Sequence, residues 1–155
     1  MLPRLGDTMT LTARMGLTSG DVVAIVGSGG KTSLLTRLAK ENQHRRVLVS
    51  TTTKMLRTEL EQMTGAHLLH GTGANGKVTA PPMEALETAC ANFDLSLLEC
   101  DGSKGLPLKG WAAHEPVVPV FATVTVGMLP LWPLGRPVGA TTVHREAAFC
   151  TPSAR

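Results

Sequence analysis

The stretch Val22–Leu35, VVAIVGSGGKTSLL, changes periodicity across a run of glycines. Its first half, VVAIVG, is β-branched and uncharged, the composition of a strand buried on both faces in a parallel sheet. The second half opens KTSLLTRLAKENQ, in which Leu34, Leu35 and Leu38 share one helical face while Arg37 and Lys40 fall elsewhere. Between the two, Gly27, Gly29 and Gly30 tolerate positive φ and let an anion approach the backbone. The first N–H groups of a helix have no internal partner, and the helix dipole adds partial positive charge there. Strand, glycine turn, Lys-Thr pair and helix together predict a phosphate-binding loop over Gly27, Ser28, Gly29, Gly30, Lys31, Thr32 and Ser33. In such a loop Lys31 reaches the β- and γ-phosphates of a nucleotide, and the Thr32 hydroxyl ligates magnesium. One feature of the common G-x-x-x-x-G-K-[ST] form is missing, because Ile25 stands where its first glycine would be.

The missing glycine does not remove the prediction. GSGGKT resembles in length the compact GTNGKT loop of Mur-type peptide ligases, which also bind ATP on a parallel sheet. A glycine turn bearing a solvent-exposed lysine is the plainer alternative.

Outward from the loop, RRVLVSTTTK predicts a second strand through Val47, Leu48 and Val49, and MLRTELEQM a short helix. HLLHG predicts a third strand, followed by a glycine-rich turn or hairpin at GTGANGK. PPMEALETACANF predicts a helix, LSLLECDG a fourth strand, and PVFATVTVGML a fifth with Val120, Ala122, Val124 and Val126 on one parity. Strands separated by helices imply βαβ units, hence an α/β fold with a mostly parallel sheet covered on both faces. A single domain over 1–155 is expected, with a lead-in at 1–20 and an irregular Pro- and Gly-rich tail at 130–155.

A nucleotide needs a metal partner on a neighbouring strand. LSLLECDGSKG supplies acidic residues where the fourth strand ends, the place where ligands sit in open α/β sheets. Alternation puts Glu99 and Asp101 on one face and Cys100 on the other. The two carboxylates beside Lys31 suit a metal, or a metal with an activated water, so Lys31, Glu99 and Asp101 are the catalytic candidates. Thr32, Glu99 and Asp101 are the metal candidates. Thr52, Thr53 and Lys54, in STTTK, either bind phosphate, magnesium or a second substrate, or cap the following helix. Neighbouring carboxylates raise a thiol's pKa, so Cys100 is read as buried and inert. His44, His67 and His70 show no ligand spacing, whereas His114-Glu115-Pro116 and His144-Arg145 flank turns that follow the acidic strand.

Composition narrows the function classes. Charges of 15 − 12 give +3, compatible with anionic ligands but too weak to point to nucleic acid. Tyrosine is absent, and no basic-aromatic platform for stacking bases occurs. No segment has the roughly 18 apolar residues of a membrane span, and no signal peptide is read at the start. The cysteines at 90, 100 and 150 lack CxxC spacing and are expected as reduced thiols of a cytoplasmic protein.

In this order, VVAIVGSGGKTSLL, VLVSTTTKM, LLECDGSKGLPLKG, HEPVVP and the late VHR resemble the YqeC family, accessory proteins for selenium-dependent molybdenum hydroxylases. The resemblance implies a nucleotide-dependent protein of the cytoplasm, binding ATP and Mg2+ and acting with molybdenum-cofactor or selenium-pathway enzymes. It carries the family's motifs onto Gly27–Thr32, Thr51–Lys54, Glu99, Asp101–Lys104, Lys109, His114–Pro116 and His144-Arg145. Family members continue beyond the VHR motif, so a C-terminally truncated P-loop-type chain is expected. The expected function is Mg-dependent phosphoryl transfer or hydrolysis. Its alternative is a non-catalytic carrier for a phosphate-bearing molybdopterin-type cofactor or a partner enzyme.

Overall fold

The computed structural model describes residues 9–151. The opening strand is β1 (Asp21–Gly27), buried from Val22 onward. β2 (Val47–Thr51) and β7 (Leu95–Glu99) are buried along their whole lengths, while β4 (His67–Leu69) and β9 (Val124–Met128) form the margins. The order is β4-β2-β7-β1-β9, and every neighbouring pair is parallel. The fold is therefore α/β around a parallel central sheet. Marginal β9 alternates in burial, with Thr125 and Gly127 outward. Val120 does not belong to it. That side chain is fully exposed, in a turn closed by the Ala122 amide on Pro119 O (3.1 Å), so parity alone overextended this strand.

The pleat of β1 sorts the core. Val23 and Ile25 pack with Leu34, Leu35 and Leu38 of α2 (Lys31–Glu41), and Val22, Ala24 and Val26 pack with Leu86 and Cys90 of α4 (Met83–Cys90). α1 (Leu11–Arg14) is tied to the end of α2 by Glu41, whose carboxylate accepts from the amides of Leu11 (3.1 Å) and Thr12 (3.0 Å). Burial alone would raise this carboxyl. The Thr12, Arg37 and Leu11 hydrogen bonds outweigh it and hold it down to about 2.

Smaller pieces surround the crevice. β3 (Met55–Leu56), β5 (Gly71–Thr72) and β6 (Lys77–Thr79) make an antiparallel sheet ordered β3-β6-β5. Pairing with Val78 and Lys77 draws Met55 and Leu56 out of the helix predicted there, which begins later as α3 (Arg57–Glu61). β8 (Leu108–Lys109) pairs with β10 (Val143–His144), and α5 (Glu146–Cys150) follows. The tail is thus less irregular than its composition predicted. Gly110 permits this, since a Cβ there would meet Phe149 N at 2.3 Å. Residues 1–8 and 152–155, the outer ends of the expected lead-in and tail, lie outside the described residues.

The connections leaving β1 and β7 run in opposite directions, to β2 and to β9. That divergence opens a crevice beyond the C-terminal ends of the two strands. Among the described residues no helix is long and apolar enough to cross a membrane.

Candidate functional site

The glycine turn after β1 is fastened to its neighbours before it reaches the helix. Gly27 adopts φ 97°, and a Cβ there would lie 2.2 Å from Met128 O. That carbonyl accepts the Ser28 amide at 3.0 Å, and the Gly27 amide donates to Asp101 Oδ2 at 2.9 Å. Two amides of the turn therefore serve the fold. The first helical amide with a partner is that of Leu34, on Gly30 O at 2.9 Å. Among the described residues no side chain caps α2, which leaves the amides of Lys31, Thr32 and Ser33 as the unsatisfied donors at its start.

Beneath these donors lies a row of charges of alternating sign, buried at its Lys31 end and half-buried at Arg145. Lys31 Nζ donates to Gly27 O (2.8 Å) and stands 3.5 Å from Glu99 Oε1 and 3.3 Å from Asp101 Oδ1. Asp101 is fully buried, and its Oδ2 also accepts from Trp111 Nε1–H (2.8 Å) and lies 3.5 Å from Lys109 Nζ. Lys109 donates to Gly102 O (2.7 Å) and to Glu115 Oε2 (3.1 Å), which Arg145 holds from the other side. Glu99, Lys31, Asp101, Lys109, Glu115 and Arg145 form one connected series.

Protonation along the series is uneven. Burial pushes the Glu99 carboxyl up to about 7 against the attraction of Lys31, with Glu59 and Asp101 adding to the rise. Its Oε2 is buried without a hydrogen-bond partner among the described residues. Burial also works to raise Glu115, but the Lys109 and Arg145 hydrogen bonds outweigh it and lower the carboxyl. His144 is lowered by burial and then by Arg145, Lys104 and Lys109, which favours its neutral form.

These groups open on a cavity of about 1100 Å³. Its floor is Gly29, Gly30, Lys31, Thr32 and Glu99; one wall carries Thr53, Lys54, Glu59 and Lys77, the other Lys104, His114, Glu115, His144 and Arg145. The structure thus gathers much of the expected constellation, but Gly27, Ser28, Ser33, Thr52 and Asp101 do not line the cavity. The Ser28 hydroxyl donates to Pro107 O (2.7 Å), and the Thr52 hydroxyl donates to Val117 O (2.7 Å). Ser33 faces outward. Asp101, expected beside a metal, supports the loop from below. Of the two carboxylates only Glu99 reaches the opening. The capping alternative for STTTK also fails, since α3 begins after Leu56 with no side-chain cap. Thr53 Oγ1 is buried and has no partner among the described residues.

Cys100 packs with the core on the opposite face, and burial pushes its thiol up to about 11. Sequence reasoning missed Glu59 and Lys77, which come from elements remote in the chain, and also Trp111 and Trp132. The two tryptophans of an aromatic-poor chain were the available signal. Among the described residues no cluster of three or more His, Cys, Asp or Glu side chains stands ready to hold a metal. The oxygens of Thr32 and Glu99 fit a hard cation that completes its shell with phosphate oxygens and water, as Mg2+ commonly does.

Comparison with known proteins accords with this arrangement of motifs. The family model described as YqeC protein matches residues 23–147. The curated protein of Escherichia coli (strain K12) described as uncharacterized protein YqeC is 34% identical over 150 residues, covering 83% of this chain and 59% of that relative. The chain therefore spans less than two thirds of that relative's length. No solved structure matches.

Proposed function

The chain belongs to the YqeC family, and on that premise we propose that it is a P-loop-type protein that binds ATP with magnesium. The nucleotide serves phosphoryl transfer or hydrolysis during maturation of a selenium-dependent molybdenum hydroxylase. The observation that carries this reading is the uncapped start of α2 opening, with Lys31 and Glu99, on one cavity floor. Unsatisfied amides and a buried lysine offer positive charge to phosphate oxygens in a partly desolvated site, where such interactions are strongest. Asp101 is a positioning residue: it holds the Gly27 amide and Lys31. Thr32 and Glu99 would hold the cation, which would neutralise charge on the phosphates when bound. In hydrolysis a water oxygen bonds to the γ-phosphorus, the bond to the bridging oxygen breaks, ADP departs and a proton is released to solvent. We place the protein in the cytoplasm as one domain, working with molybdenum-cofactor or selenium-pathway enzymes and without nucleic acid.

Calorimetric titration with Mg-ATP tests this. The wild type is expected to bind, and Lys31→Ala and Thr32→Ala to bind at least about tenfold more weakly, the effect of losing roughly 1.4 kcal/mol of contact. A wild type that binds no purine nucleotide, or variants that bind as well as it does, overturns the proposal. The cavity is slightly larger than common small-molecule clefts, which favours a second reading as a non-catalytic carrier of a phosphate-bearing molybdopterin-type cofactor. Displacement of nucleotide by such a cofactor, with no phosphate release, selects the carrier.

A further inference from the structure

The cavity extends well past the phosphate loop, to a wall whose backbone is unusual. Three non-glycine residues among those described adopt positive φ: Asn75 (56°), Lys104 (52°) and Arg145 (56°). Asn75 sits in the β5–β6 hairpin turn, where asparagine tolerates this conformation. Lys104 shares a tight turn with Gly105 (φ 75°), closed by the Leu106 amide on Ser103 O (3.0 Å), whereas no such turn accounts for Arg145; both residues line the cavity. A long side chain such as Arg145, held in the left-handed region by its surroundings, is a recurrent feature of ligand sites.

Charge at this wall is unbalanced. Lys109 and Arg145 flank one carboxylate, Glu115, and Lys104 adds a third cation near His144. Asp101 is shared with Lys31. His144, biased toward its neutral form, adds a hydrogen-bonding ring without charge. Lys109 is 1% exposed and occupied by Gly102 O and Glu115, so it steadies the wall from behind. Arg145 is different. Its side chain is 33% exposed, one guanidinium nitrogen is fixed on Glu115, and among the described residues its other donors have no partner. An arginine anchored on one side with a free planar edge is preorganised for a bidentate oxyanion.

We propose that this wall is a second anion site, separate from the loop, which receives a phosphate monoester on the partner substrate of the nucleotide reaction. Arg145 grips two of its oxygens, Lys104 supplies the second charge, and Glu115 aims Arg145. Lys104 adds a positive charge to a row that is otherwise balanced, and the two cations that face the ligand, Arg145 and Lys104, favour a dianionic phosphate over a single carboxylate. Only the role of the ligand as second substrate rests on the nucleotide reading.

Inorganic phosphate titrated calorimetrically into the full chain separates the two. The wild type is expected to take two phosphates per chain, Lys31→Ala one, Arg145→Gln one, and the double variant none. Acetate is expected to compete at least tenfold more weakly than phosphate at the Arg145 site. Arg145→Lys keeps charge without the fork and is expected to weaken that site about tenfold while preserving stoichiometry. Lys104→Ala, at an exposed position, weakens the same site and serves if Arg145→Gln does not fold. A single phosphate abolished by Lys31→Ala alone overturns the second site and leaves the nucleotide reading standing. A single phosphate abolished by Arg145→Gln alone does the reverse. Equal binding in wild type, Arg145→Gln and Lys104→Ala, or acetate competing as well as phosphate, also overturns the proposal.

Discussion

At the N-terminal edge of the sheet, Asp21 accepts from the Thr18 amide (2.6 Å), the Thr18 hydroxyl and the Thr123 hydroxyl, and Asp94 accepts from the Arg46 amide (2.8 Å). Both carboxyls are lowered, chiefly by those backbone hydrogen bonds. At the C-terminal edge, five residues beyond Asp94, Glu99 is raised to about 7 by burial, with one oxygen unpartnered. The strands are the same and so is the acid chemistry; solvent and partner supply differ. Carboxylates served by neighbours in the open fasten chain segments together. A buried one short of partners keeps capacity for a ligand, and stability is lower for it.

The largest test removes the keystone of the buried edge. Asp101→Ala strips a counter-charge from Lys31 and Lys109 and an acceptor from Gly27 and Trp111, and is expected to cost about 3–5 kcal/mol in urea unfolding. Asp94→Ala, at the solvated edge, should shift the midpoint far less. Equal losses would erase the contrast between the edges.

Next comes backbone crowding. Gly27→Ala drives a Cβ against Met128 O at φ 97°, whereas Gly16→Ala meets open space at φ 67°. The first is expected to cost about 2–5 kcal/mol and the second about 1–2. Comparable melting temperatures for the two variants would show that β9 yields easily to the loop.

The third test is pH. Folded Glu99 keeps its proton up to about 7 but releases it near 4.5 when unfolded, so stability falls as pH rises across that interval. Asp21 and Asp94 act oppositely: their contribution is present above 3.8 and lost as pH falls through their lowered values. Glu99→Gln should abolish the neutral-range slope, at most about 1.4 kcal/mol per pH unit for one proton, and leave the acid limb intact. A slope unchanged in the variant assigns it to another group. The smallest effect concerns reactivity. Iodoacetamide at neutral pH is expected to label exposed Cys150 and spare buried Cys90 and Cys100, read by intact-mass spectrometry. Labelling of Cys100 in the folded chain would show that the C-terminal edge opens.

Local pattern foretold what local forces decide. β1 and α2 were legible because a β-branched run and a leucine stripe each carry their own period, and Glu99 because it ends such a run. Alternation rightly paired Glu99 with Asp101, since both reach Lys31 Nζ. It carries no depth, so the cover that Gly27 and Trp111 place on Asp101 was invisible. The hydroxyls of Ser28 and Thr52 meet carbonyls 79 and 65 residues away, and no spacing rule spans such separations. The strand at Val143-His144 exists only through Leu108-Lys109. Val120 kept the right parity after the chain had already turned away.

The row running from Arg145 to Glu99 begins on a guanidinium and stops on a carboxylate. Such a file can be lengthened by an anion at its first terminus and a cation at its last, with no two like charges becoming neighbours. The interior is already neutral in sequence, so both additions would fall inside the cavity, one against its wall and one on its floor.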